Sequence, residues 1–384
     1  MSSRTDGNRD SLKYSGVLTP DTASSESLKD LLHHLLNEGG FQAVFTLRKT
    51  PVAGRFCYSL ISDPALLSEA VPFHPVMPVQ GARALTELTR DGIPEGIVAV
   101  LLRPCELRAF IENVKQVQGA FDNLMVISCI CPGVIPAARH IREAGKELLK
   151  RFESSVAEGT IPEDARAACS YCTDFTPPAH TDMTVVLTGD SASAEVGTIY
   201  LHSELAISSA EALNSYRIEI STGELRPPES LIRARRSNLS LLLSGKEDTP
   251  YGLSSLVDVF SACIGCRGCR EVCPLCHCII CDYETDRTRY SPSLVKKLAR
   301  TKGAVRVPSG TVQFQIGRMV HISASCVSCG QCSDACPVGI PVADIFARAG
   351  RSVQETLGYR PGANLEETPP MAAYQVNELE SITD

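Results

Sequence analysis

Tryptophan is absent from the chain, and aromatic residues make up only 5% of it. So few aromatic faces argue against the stacking platforms on which single-stranded nucleic acids are bound. A positive excess is missing too: the formal net charge is −7, and no DNA-binding motif stands out that would mark a redox-responsive regulator. No run approaches the roughly 18 apolar residues of a membrane span. The first residues, MSSRTDGNRDSLKYSG, lack the apolar core of a secretion signal. A soluble, reducing, cytoplasmic setting is therefore expected.

Cysteine is what the chain has in excess, with 17 copies in 384 residues. Disulfide scaffolds are short, secreted chains. A long chain in a reducing compartment keeps its thiols free, so metal ligation is the expected use.

Two segments carry that expectation. CIGCRGCREVCP supplies Cys263, Cys266, Cys269 and Cys273, and CVSCGQCSDACP supplies Cys326, Cys329, Cys332 and Cys336. Both read C-x2-C-x2-C-x3-C-P, the spacing that holds 4Fe–4S clusters. Three thiolates on one tight turn reach three corners of a cube, and the fourth points at the neighbouring cube. One cluster is thus expected on Cys263, Cys266, Cys269 and Cys336, and a second on Cys326, Cys329, Cys332 and Cys273. Paired zinc sites use two C-x2-C pairs set apart by a longer loop, which this pattern does not follow. The insert between the motifs is long and contains the helical SPSLVKKLARTKGA, so a mostly α-helical dicluster ferredoxin domain is expected.

Upstream, the periodicity predicts a helix over 27–38, strands over 42–48 and 55–61, a helix over 81–92 and a buried strand over 96–102. A helix over 105–119, a strand over 123–129 and a helix over 135–152 follow, with further strands at 184–189 and 198–201. Short connections between alternating strands and helices imply an α/β domain with a parallel βαβ sheet. The expected organisation is a disordered N-terminus at 1–25, the α/β domain at 26–228, the ferredoxin domain at 229–362 and a loose acidic tail at 363–384.

The remaining cysteines are less determinate. Cys276, Cys278 and Cys281, in PLCHCIICDYE, could begin a further cluster, bind zinc with His277, or pack as small apolar thiols. Cys105 opens a helix after one buried strand and Cys129 ends the next. Both thiols are thereby set at the carboxyl edge of the sheet, where open α/β folds bind ligands. Cys169 and Cys172 form a C-x2-C pair. Those four could converge on a third cluster or one zinc, or remain core thiols. Arg103 and Arg108, beside Cys105, are either contacts for an anionic cofactor or surface charges. His321, just before the second motif, either shapes a cluster's surroundings or simply packs.

RPCELRA, SCICPG and CSYCTDF, followed by CIGCRGCREVCPLCHC and GRMVHISASCVSCGQCSDACPVGIPVADIF, resemble the beta subunits of deazaflavin (coenzyme F-420)-reducing hydrogenases and formate dehydrogenases. The likeness spans roughly 80–360 and is closest to the form with a fused ferredoxin part. The resemblance implies FAD and one 4Fe–4S cluster in the α/β domain, with ligation carried onto Cys105, Cys129, Cys169 and Cys172. It also implies a glycine-containing helix start near the flavin, matched here by Gly81, with Arg103 and Arg108 as candidate phosphate contacts. The function it implies is an electron-transfer subunit of an oxidoreductase. Such a subunit would relay electrons between a soluble hydride carrier (deazaflavin or nicotinamide) or a catalytic subunit and a further partner. The partner would be a formate dehydrogenase or hydrogenase catalytic subunit, or one like heterodisulfide reductase. The competing reading is a non-catalytic wire or docking adaptor without flavin.

Overall fold

The computed structural model describes residues 12–20, 25–143, 145–188, 196–211, 213, 216–244, 253–285 and 290–373. Eight strands form one sheet, in the order Tyr216–Glu219, Gly16–Pro20, Ile199–Leu201, Met183–Val186, Leu124–Ile130, Val98–Leu101, Ala43–Lys49, Phe56–Ile61. The four strands Met183–Val186, Leu124–Ile130, Val98–Leu101 and Ala43–Lys49 run parallel. Antiparallel strands extend the sheet on both sides. The parallel βαβ core is as expected, within a larger mixed sheet.

The strand Val98–Leu101 is buried along its whole length, as its unbroken apolar run requires of a strand covered on both faces. Alternation sorts its side chains: Ala99 and Leu101 face a core shared with Leu28, Leu31, Leu32 and Leu35 of the helix Ser25–Asn37. Val98 and Val100 face the opposite core, with Leu85 of the helix Gly81–Thr89 and Phe110 of the helix Pro104–Lys115.

Several boundaries differ from the sequence expectation. Residues 12–20 are ordered: Leu12–Tyr14 pairs with Gly223–Leu225, and Gly16–Pro20 lies inside the sheet between two partners. Polar composition hid them, because their pairing is with strands some 180 to 213 residues away in sequence. The rest of the expected N-terminal disorder, 1–11 and 21–24, lies outside the described residues. The helix expected over 135–152 is two, Ala137–Arg142 and Lys146–Ala157, with Gly145 at φ +54° between them. The helix Glu229–Ser244 packs on the α/β side: Leu231 joins the sheet core, and Arg235 donates to the carbonyls of Cys131 (3.2 Å) and Pro132 (2.8 Å).

The ferredoxin part is helical, with longer helices at Leu253–Ser261, Pro292–Lys302, Thr311–Ile322 and Val342–Leu357. It is bound to the α/β domain by buried charge. Asp174 takes Arg108 (3.0 Å), Arg360 (2.5 Å) and Arg351 (3.8 Å), and these cations hold its carboxyl well below the usual range despite burial. Glu112 accepts from the Tyr359 hydroxyl (2.6 Å) and the Gly362 amide (2.8 Å). The expected loose tail begins as a docked segment, since Leu365 packs against the Phe110 core and its amide donates to His180 Nε2 at 3.1 Å. Residues 374–384 lie outside the described residues. No helix among the described residues is long and apolar enough to cross a membrane.

Candidate electron-transfer centres

The two four-cysteine motifs adopt matching turns. Gly265 (φ +70°) and Ser328 (φ +54°) stand two residues after the first cysteine of each motif, and Arg267 (φ +61°) and Gly330 (φ +80°) stand four after it. These left-handed residues coil the backbone so that three cysteines in seven residues can turn inward. Arg267 and Ser328 hold that conformation without glycine, at a cost of order 1 kcal/mol or more each, so the loop shape is imposed by what surrounds it. The short helices Gly268–Glu271 and Gln331–Asp334 then open in register, and a Cβ on Gly268 would lie 3.3 Å from the Ala335 carbonyl oxygen. The two motifs therefore pack closely against each other.

Cys263 and Cys273 of the first motif and Cys332 and Cys336 of the second share one apolar core with Phe260, Ile322, Ile340 and Phe346. Backbone amides reach the sulfurs: Gly265 N–H to Cys263 at 3.4 Å and Ile340 N–H to Cys336 at 3.3 Å. Two buried side chains that the sequence reading did not single out complete the first set. Gln315 Nε2 lies 3.5 Å from Cys269 Sγ and 3.7 Å from Cys263 Sγ, and Arg318 Nη1 donates to Cys269 Sγ at 3.0 Å. Gln315 and Arg318 are three residues apart on the helix Thr311–Ile322, hence on one face of it. Such amide and cation donors suit a set of thiolates around an anionic cluster.

The α/β thiols meet at the sheet edge. Cys105 starts the helix after Val98–Leu101, Cys131 follows the end of Leu124–Ile130, and Cys169 and Cys172 lie on and after the short helix Ala167–Ser170. These four line one small cavity together with Arg103, Gly133 and Cys329. Its open space is about 20 Å³. Gly133, at φ +119°, passes so close to Cys169 that an added Cβ would lie 3.2 Å from the Cys169 Cβ.

Cys129, which the resemblance named, is fully buried in the strand and does not line that cavity. Cys131 does. The two point to the same side of an extended chain, but Cys131 lies two residues nearer the carboxyl edge. A hydrogen bond from Cys129, followed by the Arg103 and Arg235 cations, outweighs burial and pushes the Cys131 thiol down to about 6. Burial pushes Cys105 and Cys169 up, and Cys172 up to about 12. At Cys105, Cys169 and Cys172 burial thus favours the neutral thiol, and a metal bound there would displace those protons. Among the described residues no three His, Cys, Asp or Glu side chains are gathered as one metal ion would require.

The same cavity touches the ferredoxin part through Ser328 and Cys329. Arg166, 2% exposed, clamps this junction. It pairs with Asp334 at 2.6 Å and donates to the Cys329 carbonyl (2.8 Å) and to Gln331 Oε1 (2.9 Å). Its position just before the CSYC pair was the one available sequence signal.

The residues expected near a flavin are divided. The Gly81 amide donates to Glu106 Oε1 at 2.8 Å, and an added Cβ would meet the Tyr58 ring at 2.7 Å. This helix start is thus closed to a phosphate by the protein's own carboxylate. Arg108 is engaged by Asp174 and by the Pro361 carbonyl at 2.8 Å. Arg103 lines an apolar cavity of about 270 Å³ with Phe73, Phe152 and Leu187, adjoining the thiols through Gly133, and its guanidinium also donates to the His74 carbonyl and lies 4.0 Å from Glu106.

A family model described as a 4Fe-4S dicluster domain matches residues 259–340. The F420-dependent formate dehydrogenase subunit beta of Methanocaldococcus jannaschii is 28% identical over 71% of this chain and 76% of its own length. The F420-dependent formate dehydrogenase 1 subunit beta of Methanococcus maripaludis is 25% identical over 88% of this chain and 91% of its own. A structure of the F420-reducing [NiFe] hydrogenase complex from Methanosarcina barkeri aligns over 60% of this chain and 88% of that one, at 11% identity and a TM-score of 0.39, a likeness too loose to build on. The chain is similar to these formate dehydrogenase beta subunits, and its C-terminal part matches a 4Fe-4S dicluster domain.

Proposed function

We propose that this chain is the electron-relay subunit of an oxidoreductase complex, carrying three 4Fe–4S clusters in a line. The observation that carries the reading is the cavity at the sheet edge, where Cys105, Cys131, Cys169 and Cys172 stand against Cys329 of the second ferredoxin motif. When bound, such clusters accept and release single electrons.

The ligand sets have an order in space. Cys105, Cys131, Cys169 and Cys172 form the set nearest the sheet. Cys326, Cys329, Cys332 and Cys273 come next, joined to the first set by the Arg166 clamp. Cys263, Cys266, Cys269 and Cys336 come last, with Cys266 exposed to solvent. A path therefore leads from the sheet edge to the far face, where a catalytic subunit or another carrier would dock.

The test is anaerobic purification with iron and acid-labile sulfide counted per chain. About four irons fewer in a Cys169→Ser, Cys172→Ser variant than in the parent, one cube's worth, supports the α/β set. An unchanged count removes the α/β cluster from the reading.

The last set should also have the higher potential of the ferredoxin pair, because Arg318 and Gln315 donate to its sulfurs. Arg318→Gln is expected to lower that potential by on the order of 60 mV, the worth of about 1.5 kcal/mol of differential hydrogen bonding in a one-electron couple. A titration followed by electron paramagnetic resonance reads it, and an unshifted potential would remove the tuning role.

The cavity beside Arg103 favours a second element, a flavin, for whose ring Phe73 and Leu187 would supply apolar walls. A bound flavin would supply exchange between hydride and single electrons. Arg103 would be its one cationic neighbour, since Gly81 and Arg108 are engaged elsewhere. Flavin absorbance released on denaturation supports this element, and its absence favours the wire without flavin.

A further inference from the structure

The cysteines that follow the first motif are not absorbed by the three ligand sets. Cys276, Cys278 and Cys281 line one cavity of about 330 Å³. Arg270, Arg318 and the imidazoles of His277 and His321 line it as well. Thiols that served only as apolar filler would sit in packed core. Here Cys278 is exposed and Cys276 and Cys281 are half-buried, so all three lie open to a ligand.

Two further features favour an anionic, soft-ligand group. The two arginines supply positive charge to a site whose ligands would be negative. His277 Nδ1 is buried and has no hydrogen-bond partner in the described structure, an acceptor or ligand position left open.

We propose that Cys276, Cys278 and Cys281 hold a further 4Fe–4S cluster in this cavity, with His277 as its fourth ligand. Soft thiolates and one imidazole suit iron–sulfur ligation. The site adjoins the second ligand set through Cys276, which packs in the same core as Cys273. It lies on the surface, since Ile279 and Ile280 between the last two cysteines are 89% and 84% exposed. It therefore forms a branch from the second ligand set toward solvent, and it does not depend on the α/β cluster.

The test uses the full chain, purified anaerobically and reconstituted with iron and sulfide. Cys278→Ser with Cys281→Ser leaves Cys276, and hence the contact with Cys273, in place. The double variant is expected to lose about four irons and four sulfides relative to the parent, while the coupled resonance signal of the ferredoxin pair persists. His277→Ala is expected to keep the iron and change the resonance of one cluster. An unchanged iron count in the double variant overturns the proposal, as does zinc that disappears with the same substitutions. A parallel Cys169→Ser with Cys172→Ser variant removes only α/β iron, so failure of the relay reading and failure of this one are told apart.

Discussion

Cys131→Ser is expected to remove about four irons per chain, counting one cube, while Cys129→Ser leaves the iron count at its parental value. Cys129 lies within the strand Leu124–Ile130 and Cys131 just after it, so sequence position alone does not separate them. Location does: Cys131 lines the cavity with Cys105, Cys169 and Cys172, and Cys129 does not. The backbone around Cys131 is also fixed. Its amide donates to the Phe175 carbonyl at 2.9 Å, and its own carbonyl and that of Pro132 are held by Arg235, whose guanidinium lies 4.3 Å from the Phe175 ring centroid.

Cys129 stays in the sheet core, fully buried, so its loss would leave the four thiols of the cavity in place. Iron and sulfide analysis of both variants after identical reconstitution decides the matter. Loss of iron from Cys129→Ser alone would show that the edge of the sheet is read wrongly here.

The second large effect concerns the junction of the two domains. Arg166→Met is expected to destabilise the protein by about 3–5 kcal/mol, the cost of leaving one partner of a buried ion pair uncompensated. Arg166 is buried, and Asp334 is only 12% exposed on its side chain. Burial already raises the Asp334 carboxyl, against the pull of Arg166. Removing the cation also strands the Cys329 carbonyl and Gln331 Oε1. A lower unfolding midpoint and faster loss of cluster absorbance would report the change. Adding Asp334→Asn to Arg166→Met should recover much of the loss, since the uncompensated charge is then gone. An unchanged midpoint in the single variant would mean that the clamp contributes little.

Much of this could be read from residue order. The two C-x2-C-x2-C-x3-C-P segments state their chemistry by spacing alone, because ligands held on one turn are local by construction. The buried strands Val98–Leu101 and Leu124–Ile130 were legible as apolar runs for a similar reason: a strand covered on both faces needs no partner named to show its pattern. The strands at 12–20 were not legible, since their burial comes from pairing with residues near 200 and 220.

The sites show the same division. That Cys105, Cys169 and Cys172 carry metal chemistry could be argued from motif and resemblance. That Cys131 stands with them, that Gln315 and Arg318 reach Cys269, and that Arg166 bridges the domains could not, because each depends on contacts between segments far apart in sequence. The sequence by itself determined the ligands of the paired clusters and the alternation that builds the parallel sheet. Tertiary structure alone decided which thiols meet at the sheet edge, which arginines are used up in ion pairs and which line open space. Those outcomes depend on the packing of distant surfaces, and local spacing holds no record of it.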